Sequence, residues 1–436
     1  MTDELQLSIE KLVYGGDGLA HAEGNTVFVP FVLPGELVRA AVRTRKKKLI
    51  HTKLVEVERA APTRIAPTCP HFGVCGGCHY QHIEVTEQVR LKTEILRETL
   101  SRLGGVQWDG PIQEHTAQPY GYRNRAQWAF RDAMPRAFGY FLPESGHILP
   151  IDVCPVLSPK LAETFGQLQE LARSNSLPPG ILEIEAFADG ADEKIALNVA
   201  FERFSKPAKA LVQEFRSAIP ALESLLMLDQ GKNRFELEGP GYLIQKAGGF
   251  TFRVNHLSFF QVNRFLVEDL LQTVVGGAKG GFALDLYAGV GFFTLPLAKS
   301  FSKVVSVDAN LSATRDLRQN AEVAGASVIS ENEHTEEFLK KELGERPDLV
   351  VLDPPRAGLG AEAAARLANL GAGDIFYLSC DPATLARDLA VLTGSERKAE
   401  SPVTAEQRYE ITEMHLFDLF PQTFHIETLV RLRRVS

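Results

Sequence analysis

The spacing of hydrophobic and polar positions changes along this chain, and the changes divide it. Over residues 5–60 apolar residues come in short alternating runs, as in Thr26-Val-Phe-Val-Pro30 and Leu37-Val-Arg-Ala-Ala-Val42. Turn residues interrupt them at Gly15-Gly-Asp-Gly18 and Pro34-Gly35. Alternation with period two sends successive side chains to opposite faces of a strand, so this stretch predicts a small closed β-barrel of the oligonucleotide-binding kind. A Pro-rich link, Ala61-Pro-Thr-Arg-Ile-Ala-Pro67, follows. Over Val85–Leu103 apolar residues recur at 89, 91, 96, 100 and 103 between charges, which predicts an amphipathic helix closed by Gly104-Gly105. Residues 120–250 read as strand-rich without a definite topology. From about residue 258 apolar strands, expected at 281–287, 303–308, 348–353 and 374–379, alternate with helical stretches. That is the βαβ series of an α/β, doubly wound parallel sheet, Rossmann-like in class. The expected division is 1–61, 62–257 and 258–436, with helix 85–103 free to pack on the third part.

Composition narrows the class. A chain of 436 residues, 44% hydrophobic and 23% charged, is ordinary globular material for two to four domains. No run of about 18 apolar residues exists, and the start, MTDELQLSIEKL, is not a secretory signal. Five cysteines without such a signal favour reduced thiols and a cytoplasmic location, with no membrane. The net charge of −8 argues against a nucleic-acid partner until its distribution is considered. Residues 39–64 hold nine Lys and Arg against two Glu, a basic stretch inside an acidic protein. In GGDGLA, VFVPFVLPGE and this basic stretch, the first 61 residues resemble the TRAM domain, an RNA-binding barrel.

Candidate chemistry concentrates in the last third. Asp285-Leu-Tyr287-Ala-Gly289-Val-Gly291-Phe292 is a buried strand running into a tight glycine turn. A nicotinamide site would want a third glycine where Thr294 stands. The acid on the first strand and Asp308 ending the next, placed to accept from ribose hydroxyls, look instead like class I S-adenosylmethionine binding. Asp353-Pro-Pro-Arg356 then sets a carboxylate at a strand end, with Arg where base-amino methyltransferases carry an aromatic residue. Cys380 follows the next strand and precedes a helix, in Ser379-Cys380-Asp381-Pro382. A lone cysteine is more often a small buried hydrophobe; this position, at the carboxyl edge, favours a nucleophile. Glu427 is the candidate late base, with His425 two residues away as its rival. A thiolate matters because carbon 5 of uracil is too electron-poor to attack a methyl sulfonium unaided. Addition at carbon 6 makes an enolate that can, and a base must then remove the carbon 5 proton.

In Ser258-Phe-Phe-Gln261-Val-Asn263, DLYAGVGFFTLPLA, LDPPRAG, SCDPATLARDL and FPQTFHIET, residues 258–436 resemble the RNA uracil-5 methyltransferases. The resemblance implies that Gln261, Tyr287, Phe292, Asp308 and Asp353 line the S-adenosylmethionine site, with the glycine turn at Gly289 and Gly291. It also implies Cys380 as nucleophile and Glu427 as base. Two positions depart from the family pattern: Asp381 follows the cysteine where Asn is frequent, and His334 stands where Asn or Asp usually helps hold the adenine.

The other cysteines are spaced Cys69-x5-Cys75-x2-Cys78, with Cys154-Pro155 remote. Four thiolates suit an iron–sulfur cubane; zinc and unligated thiols are the alternatives. The TRAM-bearing members of the family carry a 4Fe–4S cluster at matching positions, so the resemblance implies one here, in a structural or RNA-shaping role. The expected substrate is structured RNA, with 23S ribosomal RNA preferred. Uridine 54 of transfer RNA and a non-catalytic RNA-binding iron–sulfur protein are the alternatives. Arg123, Arg125 and Arg131, interleaved with Tyr122, Trp128 and Phe130, are candidates for phosphate contact and base stacking, or else an ordinary strand with a charged face. Nothing implies an obligate protein partner.

Overall fold

The structure, a computed structural model, describes residues 3–143, 145–203, 207–395 and 408–435. Six strands, β1 (Glu4–Ser8), β2 (Lys11–Leu12), β3 (Gly18–Ala22), β4 (Asn25–Val29), β5 (Leu37–Lys46) and β6 (Leu49–Arg59), form one sheet in the order β1-β5-β6-β4-β3-β2. Their alternation turns Val27, Val29, Val38 and Ala40 onto a small core with Leu7, Ala20 and Ile50. The basic run from Arg43 to Lys48 stays exposed at the β5–β6 turn. Within it Arg45 pairs with Asp3, and outside it Arg39 pairs with Glu4 and Glu56, and Arg64 with the buried Glu36.

The predicted helix is α1 (Val85–Gly104), stopped by Gly105 in the left-handed conformation. Val89, Leu91, Leu96 and Leu100 are buried as the pattern draws them, but the buried side shifts at its edges. Leu103 is 65% exposed, whereas Gln88 and Lys92 are completely buried. Both reach the segment that follows Phe417. Lys92 Nζ donates to Asp418 Oδ1 at 2.7 Å and to the Phe420 carbonyl at 3.1 Å. Gln88 donates to Gln422 Oε1 at 3.1 Å and accepts from the Gln422 N–H at 2.9 Å.

After β7 (Gln113–His115) comes the central sheet: β8 (Arg125–Arg131), β9 (Ala137–Phe141), β10 (Ile148–Pro150), β11 (Ile181–Ala188), β12 (Ile195–Phe201), β13 (Leu222–Asp229) and β14 (Arg234–Glu238). Its order is β10-β9-β8-β11-β12-β13-β14, packed against α2 (Pro159–Arg173) and α3 (Ala208–Ala218). Of the two readings of this strand, stacking aromatics fails and the ordinary strand with a polar outer face fits. Tyr122, Trp128 and Phe130 are all buried: the alternation of β8 turns Trp128 and Phe130 onto the core, and the Tyr122 hydroxyl donates to the Pro421 carbonyl. Arg125 is held by Glu185 at 2.6 Å and donates to the carbonyls of His256 and Ser258.

A hairpin, β15 (Tyr242–Ala247) and β16 (Phe250–Asn255), leads into the last unit. That unit runs α4 (Val267–Val275), β17 (Gly280–Leu286), α5 (Thr294–Leu297), β18 (Phe301–Val307), α6 (Leu311–Ala324), β19 (Ile329–Glu331), α7 (Thr335–Phe338), β20 (Leu349–Leu352), α8 (Ala361–Leu370), β21 (Asp374–Ser379), α9 (Pro382–Thr393), β22 (Tyr409–Phe417) and β23 (Glu427–Arg434). The sheet order is β19-β18-β17-β20-β21-β23-β22-β7. The first five strands are parallel, and β23 returns antiparallel to β21. Four of the five lie within two residues of the predicted strands.

Both faces of this sheet are covered, which is why its strands are apolar throughout. Val350 and Leu352 face one core with α1, α8 and α9, while Leu349 and Val351 face the other with α4 and the hairpin. Helix α1 lies against α9 so closely that a Cβ on Gly104 would sit 2.3 Å from the Ala386 carbonyl oxygen. At the far end of β23, Arg431 and Arg433 both bind Asp374 of β21, at 2.8 and 3.0 Å, and Arg431 also binds Glu413 of β22.

The Lys92–Asp418 pair generates a stability prediction. Removing one member leaves the other charge buried and unpaired, so Lys92→Met should cost about 3–5 kcal/mol. The double variant Lys92→Met/Asp418→Leu should recover most of that loss. Urea unfolding of both variants measures it. A single-variant cost below about 0.5 kcal/mol, the range of surface substitutions, would show that the pair holds nothing.

Candidate active site at the carboxyl edge of the parallel strands

Strand order reverses between β17 and β20, since β18 and β19 extend one way and β20 the other. Such a reversal opens a crevice at the carboxyl ends of the two strands. The loop leaving β17 fills one lip of it. Tyr287, Gly289 and Gly291 all have positive φ, at 59°, 55° and 93°. Glycine adopts this region freely, but for tyrosine it costs about 1–3 kcal/mol and must be held by its surroundings. The Tyr287 hydroxyl donates to Glu336 at 3.0 Å, and the Gly289 N–H donates to Asp308 Oδ2 at 2.8 Å. The other Asp308 oxygen accepts from the Asn310 N–H.

Thr294, in the place of a third glycine, has its own task. Its hydroxyl donates to the buried carboxyl of Asp285, tying the end of the loop to its start. Burial pushes the Asp285 carboxyl up to about 7, against the hydrogen bond from Thr294. Phe292 lies on the same loop with its ring buried among Phe252, Phe260 and Phe293, so it backs the turn from behind. Gln261, also buried, donates to Asp353 Oδ2 at 3.4 Å. His334 is exposed and precedes α7 as its N-cap.

Three neighbouring strands bring the other candidates together. Asp353 follows β20, Cys380 follows β21, and Glu427 begins the antiparallel β23. The β21–β23 register pairs Ser379 with Thr428, so the next step of the ladder sets Cys380 opposite Glu427. Glu427 is only 6% exposed. Burial, reinforced by the nearby charge of Asp353 and opposed by Arg356, holds its carboxyl well above the usual range. Burial likewise pushes the Cys380 thiol up to about 12; Glu427 and Asp353 add to this and the Arg356 guanidinium works against it. Asp353 is raised to about 7 by burial, with the Gln261 hydrogen bond opposing. His425 moves the other way, down to about 4, through burial and then the positive charge of Arg356, whose Nη2 is 3.5 Å from its Nε2.

The arrangement sets a thiol beside two carboxyls, with a guanidinium as the counterweight to their charge. Arg356 was visible in the sequence only as the residue displacing an aromatic. No spacing signal marked it as the cation acting on the thiol.

The remaining cysteines form a second locus. Cys69, Cys75 and Cys78 lie between β6 and α1, Cys154 lies between β10 and α2, and all four line one cavity of about 220 Å3 with Tyr122 and Tyr140. The two chain segments are tied by the Asp152 N–H, which donates to His71 Nε2 at 3.2 Å. Burial, with a smaller contribution from the neighbouring sulfurs, pushes the Cys78 thiol up to about 12; burial chiefly raises Cys154 to about 11. Among the described residues, no three His, Cys, Asp or Glu side chains converge as they would on a single metal ion.

A sequence model of the tRNA (uracil-5-)-methyltransferase family matches residues 242–435. The 23S rRNA (uracil(1939)-C(5))-methyltransferase RlmD of Alkalilimnicola ehrlichii is 33% identical, covering 99% of this chain and 97% of its own. An uncharacterized RNA methyltransferase of Aquifex aeolicus is 32% identical over 98% of both chains. The tRNA (uracil-54, C5)-methyltransferase of Pyrococcus abyssi, solved in complex with S-adenosyl-L-homocysteine, aligns with a TM-score of 0.75 at 24% identity. The alignment covers 98% of this chain and 100% of that one, a likeness of fold.

The electrostatics of the crevice can be tested without substrate. At pH 8, well below a thiol pKa of about 12, alkylation of Cys380 is proportional to its small thiolate fraction. Arg356→Met removes the charge that opposes the upward shift, so the thiol should rise further and the thiolate become rarer. Iodoacetamide labelling at Cys380, followed by peptide mass spectrometry, should slow about tenfold per unit of added shift. An unchanged or faster rate in this variant would mean that Arg356 does not act on the thiol.

Proposed function

The chain belongs to the RNA uracil-5 methyltransferase family, and from that premise we propose that it forms 5-methyluridine in 23S ribosomal RNA with S-adenosylmethionine as donor. The observation that carries the reading is the juxtaposition of Cys380 and Glu427 across one step of the β21–β23 ladder, beside Asp353 and Arg356. The choice of 23S RNA rests on RlmD relatives that match over nearly the full chain, whereas the family model bearing the tRNA name matches residues 242–435 alone.

In this reading the glycine turn at Gly289 and Gly291, with Asp308, Tyr287, Gln261 and Asp353, would hold S-adenosylmethionine, which would supply the methyl group as an electrophile. The target uridine leaves its stack to reach the thiol. Cys380 loses its proton to water as the Arg356 guanidinium stabilises the thiolate, which adds to carbon 6 of uracil. The resulting enolate attacks the sulfonium methyl through carbon 5, releasing S-adenosylhomocysteine. Glu427 takes the carbon 5 proton, the carbon 5–carbon 6 double bond re-forms, and the thiolate leaves. A carboxylate with a raised pKa is a better proton acceptor than an ordinary one. His425, held near 4, is a poor base at neutral pH, which favours Glu427 over its rival.

The first 61 residues act as a TRAM-type RNA-binding barrel, with the exposed basic turn from Arg43 to Lys48 toward phosphates. Residues 62–257 make up the central part and 258–436 the methyltransferase part, in the cytoplasm. Cys69, Cys75, Cys78 and Cys154 hold a 4Fe–4S cluster. Their sulfurs line a cavity instead of meeting at a point, which suits a cube of four irons better than one ion. Bound there, the cluster would join two distant segments and supply cationic charge to thiols that burial otherwise keeps protonated.

Two experiments test these assignments. With tritiated S-adenosylmethionine and separate 23S and transfer RNA transcripts, label should appear as 5-methyluridine in 23S RNA. Cys380→Ala should abolish it, and Glu427→Gln should accumulate a methylated protein–RNA adduct on a denaturing gel. Label confined to transfer RNA, or turnover by Cys380→Ala, would overturn the substrate or the mechanism respectively. Anaerobically purified protein should contain iron and sulfide, and Cys154→Ser should lose them. Stoichiometric zinc without sulfide would refute the cluster.

A further inference from the structure

Tyr14 belongs to the N-terminal sheet, yet its hydroxyl lies in the catalytic crevice. It donates to Asp381 Oδ2 at 3.2 Å and stands 3.5 Å from the Cys380 carbonyl oxygen. The β2–β3 turn is shaped for this reach. Gly15 and Gly16 have φ of 109° and 98°, and a Cβ on Gly16 would press on the His79 side chain at 3.3 Å. The His79 ring meets Phe424 at 4.6 Å, and the Tyr14 ring meets the same Phe424 edge-on at 5.6 Å. The turn is therefore wedged against the segment that leads into Glu427.

Asp381 is the residue through which this contact can act. Its Oδ1 accepts from the N–H groups of Ala383 and Thr384, capping α9, while Ser379 Oγ bonds the Asp381 backbone on both sides. Cys380 is thus suspended between the end of β21 and the cap of α9. Tyr14 secures the oxygen that the cap leaves over. Where the family pattern has Asn, this chain has a carboxylate, and a charged acceptor makes the stronger hydrogen bond with a hydroxyl.

We propose that Tyr14 is a positioning residue for methyl transfer, through which the N-terminal sheet fixes Asp381 and hence the direction of the Cys380 thiol. The proposal rests on the reading of Cys380 as nucleophile. The same sheet carries the basic turn assigned to RNA, so seating the RNA and aligning the nucleophile share one rigid element.

The test uses the full-length protein and a 23S transcript with 5-fluorouridine in place of uridine. Fluorine at carbon 5 cannot leave as a proton, so addition and methylation halt at a covalent adduct whose rate of formation can be followed. Tyr14→Phe keeps the ring on Phe424 and removes only the hydroxyl. It should slow adduct formation about tenfold, the equivalent of one modest hydrogen bond, while affinities for RNA and S-adenosylmethionine stay within about twofold. In an Asp381→Ala background the same substitution should add less than about twofold, because its partner is gone. Adduct formation at the parent rate in Tyr14→Phe, or a loss that merely follows weakened RNA binding, would overturn the proposal. So would full additivity with Asp381→Ala. An adduct still formed by Cys380→Ala would instead refute the nucleophile assignment, a result distinct from any outcome at Tyr14.

Discussion

A buried ammonium must find its carboxylate, and here Lys92 and Asp418 do so across 326 positions of chain. The run of chain that leads into Glu427 depends on that constraint. Asp418 begins the segment that carries Gln422, Phe424 and His425 into Glu427, and it is not part of a strand or helix. Left to itself such a segment would be mobile. Lys92 and the reciprocal Gln88–Gln422 pair fasten it to α1, and the His79 and Tyr80 N–H groups donate to the Gln422 carbonyl at 2.8 and 2.9 Å. Gln422 itself has φ of 69°, a conformation that these bonds sustain.

The electrostatics of the site follow from the same packing. At the ends of β20 and β21, Glu427 is buried, and Asp353 and Cys380 lie partly buried beside it. Asp353 raises the cost of ionising Glu427, both carboxyls raise it for Cys380, and Arg356 is set among them as an opposing charge. A solvated version of this cluster would have ordinary acids and an ordinary thiol. Burial raises both the Glu427 carboxyl and the Cys380 thiol, and one guanidinium, that of Arg356, opposes both shifts.

The parts legible in the sequence were those in which one local pattern decides the outcome. Apolar strands covered on both faces announced β17, β18, β20 and β21, and the glycine turn after Asp285 announced the loop with positive φ. Spacing grouped Cys69, Cys75 and Cys78, and all four cysteines do line one cavity. Patterns failed where the meaning of a residue depends on a remote partner. The apolar positions that outlined α1 left out Gln88 and Lys92, whose partners lie over 300 residues away. Tyr122, Trp128 and Phe130 read as a stacking surface because alternation reveals two faces of a strand without saying which one is covered. Tyr14 carried no signal beyond its place before two glycines.

The charge lock at the far end of β21 and β23 has a consequence for how this protein can change over evolutionary time. Asp374, gripped by Arg431 and Arg433, pins the two strands in one alignment, and the period of two in a strand forbids a slip of one residue without turning every side chain over. The span between thiol and carboxylate is therefore a ruler marked off by ladder steps, independent of loop length. Loops on either side can lengthen or shorten while that spacing is kept, so long as the Asp374 lock holds.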